Sequence, residues 1–365
     1  MTKDNKISFK GKSIYLGIDN HKNSVTVYFI CENINHGCHT FKPSGKEIGR
    51  YLRRNFPDGN YYSAYEAGYC GYKLHEELQS EGIKNIVINP SDVPTNDKEK
   101  KRKNDAMDSY KIARGLKNGD LRAIYIPSRM RQEDRSLVRL RSQLVKDQTR
   151  CKNRIKSTLS FLGLEIPDDI LESHWSKRYI EYLKSMAEAK RTTDSETLLI
   201  LIDDLLQKRA SILRVTRKIR ALSSTEPYAE MVDKLRSIPG ISILTAMTIL
   251  TEIIEIRKYG PEELSRYLKL DHLVSYVGLV PNEHSSGEKE SRGPITKRGN
   301  NYLKKVIIEA SWIASRKDPA LLLALQNYSE RKIIKTKAII KIARKLLNRI
   351  RFILLNEFYY ETMVN

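Results

Sequence analysis

Four carboxylates in the first third of the chain, Asp19, Glu66, Asp105 and Asp108, have the types and spacing to do chemistry. Asp19 follows the short apolar run SIYLGI, and Glu66 lies near the end of YYSAYEAG, so each falls where a predicted strand gives way to a turn. Strand ends of an α/β sheet share an edge, and sites are built there. Asp105 and Asp108 are three apart on a predicted helix and share one of its faces. Packed against that edge, the helix brings four acidic side chains together. Such a cluster is unfavourable without cations, because like charges repel and raise each other's pKa. Mg²⁺, with Mn²⁺ as a substitute, relieves the repulsion and keeps coordination positions for phosphate oxygens. A metal held this way polarises a phosphodiester and stabilises its displacement. Taken singly, each acid reads as a turn or helix-surface residue; the joint placement argues for a site.

Cations flank the acids. Lys98, Lys100, Lys101, Arg102 and Lys103 precede the helix, and Lys111 and Arg114 lie within it. That surround suits an anionic, metal-bound substrate such as a nucleic acid backbone, although a solvated charge run would look the same. A second candidate is PNEHSSGEKESRGPITKRGN, residues 281–300, a polar loop between the apolar segments HLVSYVGLV and YLKKVIIEASWIA. It holds Ser285, Ser286 and Gly287 beside Lys289, Arg292, Lys297 and Arg298, and Lys304 follows in the next helix. Serine needs activation by a base or a metal before it attacks phosphorus. Ser-Ser-Gly alone also fits an ordinary polar loop.

The elements that must position these residues follow from the pattern. Residues 13–31 read as two strands joined by the polar turn DNHKN, and YYSAYEAG as a third. Tyr69 to Ser80 reads as a helix, with Leu74 and Leu78 four apart. NIVINP is a buried strand stopped by Pro90, DVPTNDKEKKRK a charged loop, and NDAMDSYKIARGLKNG a helix closed by Gly119. The order implies an α/β domain with a mixed sheet. From Arg131 a stripe runs through Leu137, Leu140, Leu144, Cys151, Ile155, Leu159 and Leu162, and a second through Leu205, Ile212, Val215, Ile219 and Leu222. These predict long amphipathic helices over 131–165 and 196–223 that pair within the chain or between chains. Pro167 to Asp194 gives little signal. A helical domain follows, with SIPGISILTAMTIL reading either as a plain helix start or as a turn whose N–H groups face a phosphate. RKIIKTKAIIKIARKLLNRIRFILL reads as a core-packed helix with a basic outer face.

The chain has 365 residues, a length whose default is two domains with a sizeable core. Its +21 formal charge favours a polyanionic partner, nucleic acid first and an anionic membrane surface second. No apolar run reaches the roughly 18 residues of a membrane span, and MTKDNKISFKGKS lacks the apolar core of a signal peptide, so the expected location is intracellular. Four scattered cysteines, Cys31, Cys38, Cys70 and Cys151, agree with that. Cys31, His36, Cys38 and His39 match no zinc spacing and read as a hairpin.

The ordered motifs GIDNHKNSV, YEAGYCGYKL, KNDAMDSYKIAR and SIPGISILTAMTILTEI, followed by YVGLVPNEHSSGEKESRGPITKRGNNYLKKVIIEASW, resemble the DEDD-type insertion-sequence transposases of the insertion sequence 110 family, including its 1111-like branch, and the related Piv-type DNA invertases. The resemblance covers nearly the whole length. It implies a RuvC-like (RNase H-type) α/β domain over 1–125, a helical coiled-coil assembly region over 126–228 and an all-α transposase domain over 229–365 with a serine-bearing loop. It also implies Mg²⁺ on Asp19, Glu66, Asp105 and Asp108, and Ser286 as the nucleophile that forms a phosphoserine link to DNA. Further implied are a structured guide RNA from the element, dimers or tetramers with composite sites, and a prokaryotic cytoplasmic, nucleoid-associated setting. The family often has Arg after the third acid, where this chain has Ala106. Two other readings stay open: a Mg²⁺-dependent nuclease or junction resolvase using water, and a non-enzymatic nucleic-acid-binding scaffold.

Overall fold

The computed structural model describes residues 8–95, 104–171, 175–190, 192–253, 268–283 and 292–361. They divide into two compact units, 1–126 and 127–365.

The first unit is a mixed five-stranded sheet with helices on both faces. Its strands are β1 (Ser13–Asn20), β2 (Val25–Cys31), β3 (Ile34–Phe41), β4 (Asn60–Glu66) and β5 (Lys84–Ile88). Their spatial order is β3-β2-β1-β4-β5. β2 runs antiparallel to β1 and β3, while β1, β4 and β5 are parallel. Alternation along β1 sends Ile14, Leu16 and Ile18 to one face, where they pack with Val25, Val27 and Phe29. Helices α1 (Gly45–Asn55) and α2 (Lys73–Ser80) cover that face through Ile48, Leu52, Leu74 and Leu78. The other face carries Gly17 and Ala64, paired across the parallel strands, and helix α3 (Asp105–Asn118) lies over it with Ile112 buried.

The expected first hairpin, the strand ending in Glu66 and the buried strand before Pro90 are all present. α3 closes at Gly119, whose φ of 76° is the left-handed cap that glycine favours. α2 begins at Lys73 rather than Tyr69, because Gly71 takes a positive φ of 70° and the chain turns there first. Cys31, His36, Cys38 and His39 lie on the β2–β3 hairpin, as read from their spacing. The charged loop before α3 lies mostly outside the described residues.

The second unit is built on α4 (Arg129–Phe161) and α7 (Thr193–Ser223), which pack against each other. Arg141 Nε donates to Thr216 Oγ1 (2.8 Å), and Cys151 Sγ donates to the Leu201 carbonyl (3.3 Å), so the pair is antiparallel. Between them come the short α5 (Asp168–Leu171) and α6 (Lys177–Lys190). α6 joins Cys151, Ile155 and Leu159 to Leu198, Ile202 and Leu205 in one apolar cluster. The first half of the α4 stripe differs from expectation. Val138 is buried and Leu140 is 42% exposed, because this end faces another helix instead of α7 alone.

That helix is α9 (Ile243–Glu252), preceded by α8 (Ala229–Arg236). α10 (Leu270–Val277), α11 (Asn301–Lys317), α12 (Pro319–Glu330) and α13 (Lys335–Asn356) complete the unit. α13 buries Ile339, Ile342, Leu346, Leu347, Ile350 and Ile353, as its apolar face predicts. One expectation is corrected. The C-terminal region is mostly helical but not all-α, because β6 (Pro281–Glu283) and β7 (Arg292–Ile295) pair as an antiparallel ribbon inside the polar stretch. These strands are short and lack apolar alternation, so the sequence carries no strand signal there. No described helix is long and apolar enough to cross a membrane.

Candidate functional site

Asp19 lies next to last in β1 and Glu66 last in β4. β1 and β4 are parallel neighbours with Ile18 opposite Tyr65, so the two acids leave the sheet at one edge. Alternation places Asp19 on the face of Gly17, and Glu66 on that of Ala64, the face covered by α3. At the start of α3, Asn104 Oδ1 accepts from the Met107 N–H (2.7 Å) as an N-cap. The cap fixes Asp105 and Asp108 in the first turn, where the helix dipole favours negative charge. The close crossing depends on Gly17, since a β-carbon there would overlap the α3 backbone.

One ligand atom each from Asp19, His21 and Asp105 lies within 4.8 Å of the others. His21 Nε2 is 3.3 Å from Asp19 Oδ2 and 3.8 Å from Asp105 Oδ1. Burial pushes the Asp19 carboxyl above its usual range, His21 pulls it back, and Asp105 and Asp108 push it up again. Two carboxylates and an imidazole form a donor set that fits a divalent cation. Asp108 faces a different partner: Lys111 Nζ donates to its Oδ1 (2.8 Å) from a side chain only 7% exposed. Glu66 is exposed at the end of β4, outside the group of three. Arg114 lies with its guanidinium 5.5 Å from the Tyr110 ring centre.

His21 was not among the residues singled out from the sequence. The available signal was its place in the polar turn DNHKN, two residues beyond Asp19. Gly17 was missed too, and for it a lone glycine in an apolar run offers only the general hint of close backbone approach.

The serine-bearing stretch is anchored in the second unit. Ser285, Ser286 and Lys289 lie outside the described residues, as do Lys98, Lys100, Lys101, Arg102 and Lys103; Arg292 is described in its backbone alone. Lys297 and Arg298 are exposed. Lys304 Nζ donates to the Thr296 carbonyl (2.9 Å), which ties α11 to the β7 exit. The roots of the ribbon meet where a β-carbon on Gly299 would come 2.7 Å from Gly278 Cα, an approach only glycine permits. Beneath them sits Glu252, its side chain 0% exposed. Arg139 grips its carboxylate with two hydrogen bonds (2.6 and 2.7 Å), and Asn300 Nδ2 donates to Oε2 (2.8 Å). Asn300 also caps α11 through the Tyr302 and Leu303 N–H groups. Helix α4 is thus joined to the foot of the ribbon through one buried carboxylate, which nothing in the local sequence announces.

The comparisons with known proteins follow the same order along the chain. The model of DEDD-type IS110 proteins, described as a transposase, matches residues 16–163, and the model described as the transposase IS116/IS110/IS902 family matches residues 232–326. The transposase for insertion sequence element IS1111A of Coxiella burnetii is 29% identical over 286 residues, covering 77% of this chain and 71% of its own. The transposase for insertion sequence element IS1533 of Leptospira borgpetersenii is 23% identical, covering 86% of this chain and 92% of its own. The Sinorhizobium fredii protein y4qE is 26% identical over 254 residues, and the chain spans only 58% of that relative's length.

Proposed function

Because the chain belongs to the insertion sequence 110 family of transposases, we propose that it breaks and rejoins DNA as an insertion-sequence transposase, using a serine nucleophile and a divalent cation. The convergence of Asp19 and Asp105 at the end of β1 carries this reading. The strand order β3-β2-β1-β4-β5 supports a RuvC-like, RNase H-type assignment for the first unit. In this reading Asp19 and Asp105, joined by Glu66 and Asp108, would hold Mg²⁺. When bound, the cation neutralises phosphate oxygens and stabilises the charge of the displacement.

Ser286 is the nucleophile in this scheme. Its hydroxyl loses a proton as Oγ bonds to phosphorus, and the bond from phosphorus to the leaving deoxyribose oxygen breaks, that oxygen taking up a proton. The phosphoserine keeps the bond energy until a second DNA hydroxyl attacks it and frees the serine. Lys101, Arg102, Lys103, Arg114, Lys289, Arg292, Lys297, Arg298 and Lys304 are the proposed contacts to nucleic acid. The +21 charge supports both DNA and a structured guide RNA as partners. The long helices α4 and α7, in the region 126–228, are the proposed assembly region for dimers or tetramers.

The test is to trap a covalent DNA adduct on purified protein with Mg²⁺ and co-expressed RNA. Ser286→Ala is expected to abolish the adduct. Hydrolysed ends that survive this substitution, with no adduct, would instead identify a nuclease using water. A protein whose activities all survive Asp19→Asn and Glu66→Gln would be a binding scaffold.

A further inference from the structure

An open cleft of about 500 Å³ lies beside the carboxylates and shares His21 with them. Its walls include Asn20, Lys22, Tyr69, Lys73 and Leu74. They come from the two chain segments that leave β1 and β4, the strands that carry Asp19 and Glu66. Two hydrogen bonds hold the segments together: the Lys22 N–H donates to the Tyr69 hydroxyl (3.3 Å), and Cys70 Sγ donates to the Asn20 carbonyl (3.6 Å).

Tyr69 is 78% exposed, although its hydroxyl is fixed. An aromatic ring held open to solvent presents a flat face with a set orientation. Lys22 and Lys73 stand exposed on the same cleft; Lys73 Nζ lies 3.6 Å from Glu77 Oε1, and Glu77 Oε2 accepts from the Gly45 N–H (2.8 Å). An exposed ring among cations next to a cation-binding group matches the chemistry of a single nucleotide: a base to stack and phosphates to neutralise. The volume is within the roughly 300–1,000 Å³ of small-ligand sites, too small for a duplex to enter.

We propose that this cleft receives one unpaired DNA base next to the phosphate held at Asp19 and Asp105, stacked on Tyr69, with Lys22 and Lys73 on the neighbouring phosphates. The proposal rests on reading Asp19 and Asp105 as the cation site, and it adds that the substrate is locally unstacked there. Phosphate contacts alone would not distinguish a base-bearing strand from a bare one; stacking does.

The experiment compares binding of an oligothymidylate strand with an abasic strand of equal length to the full chain, in Ca²⁺ so that DNA stays uncut. The wild type is expected to prefer the base-bearing strand by about tenfold. Tyr69→Ala should erase the preference by weakening the base-bearing strand more than the abasic one, whereas Tyr69→Trp should keep it. Lys22→Gln with Lys73→Gln should weaken both strands together. Wild type binding both strands alike, or Tyr69→Ala keeping the preference, would overturn the stacking site. Asp19→Asn separates the two readings: cleavage that survives it removes the cation site, while the Tyr69 comparison still decides the stacking.

Discussion

The Ser109 carbonyl oxygen stands where a side chain on Gly17 would have to be: a β-carbon built on Gly17 would lie 1.9 Å from it. The Ala113 nitrogen would be only 2.2 Å away. Helix α3 therefore rests on bare backbone of β1, two residues before Asp19. That contact sets how closely Asp105 approaches the strand end.

Gly17→Ala is predicted to lift α3 from the sheet, at a cost of about 2–3 kcal/mol, the upper part of the overpacking range. Urea unfolding should show a lower midpoint, and the rise in midpoint that the proposed site predicts for the wild type in Mn²⁺ should be smaller in the variant. An unchanged midpoint would mean that α3 does not pack this tightly.

The donor set predicts a split in metal preference. Asp19→Asn should weaken both Mg²⁺ and Mn²⁺ by at least about tenfold, since carboxylate oxygens serve both ions. His21→Ala should weaken Mn²⁺ far more than Mg²⁺, because imidazole suits a transition metal better than the harder ion. Calorimetric titration of each variant measures both, and equal losses for His21→Ala would remove His21 from the ligands.

Asp318 predicts acid sensitivity. Burial alone would raise its carboxyl, but hydrogen bonds from the Tyr360 hydroxyl (2.6 Å) and the Leu321 N–H (2.9 Å), with Arg349 beside it, hold it below the usual range. A depressed folded pKa gives stability that is present above the unfolded value of 3.8 and is lost as pH falls through the folded value. Tyr360 is pushed the other way, to about 12, by burial and by Asp318. Its contribution is present below the unfolded value of 10.0 and is lost as pH climbs toward about 12. Thermal unfolding across pH should show both arms. Asp318→Asn should flatten the acid arm and Tyr360→Phe the alkaline one.

Glu252 should behave as a buried charge whose removal strands its partners. Glu252→Gln leaves Arg139 beside Arg135, which lies 3.8 Å from the same carboxylate, and is expected to cost about 3 kcal/mol. A double-mutant cycle with Arg139→Gln should recover part of that loss. Strict additivity would show that the pair is not coupled.

Legibility followed periodicity. The β1–β2 hairpin, α3 with its Gly119 cap, and α13 were readable because apolar spacing and end signals agreed over long runs. The acids at the strand ends were readable for the same reason: once the strands are placed, their last residues are known. β3 is legible only as the second arm of the hairpin that holds Cys31, His36, Cys38 and His39, since INHGCHTF is largely exposed and carries no alternation, and α1 lies outside the sequence reading although Ile48 and Leu52 are four apart. His21 and Glu252 depend on partners that are far away in sequence or set by a turn. Asp19 meets Asp105 across 86 positions and Arg139 meets Glu252 across 113, and no local window spans such distances.

The antiparallel pairing of α4 with α7 has a mechanical consequence. A helix of 33 residues measures about 50 Å, so the pair is a ruler with the Cys151–Ile155–Leu159 cluster toward its far end. One residue inserted into a single arm would rotate everything beyond it by about 100° and turn Cys151 away from Leu201. Lengthening the ruler therefore requires matched insertions in both arms, in steps close to whole turns. Such paired changes would move whatever the tip holds without disturbing the root.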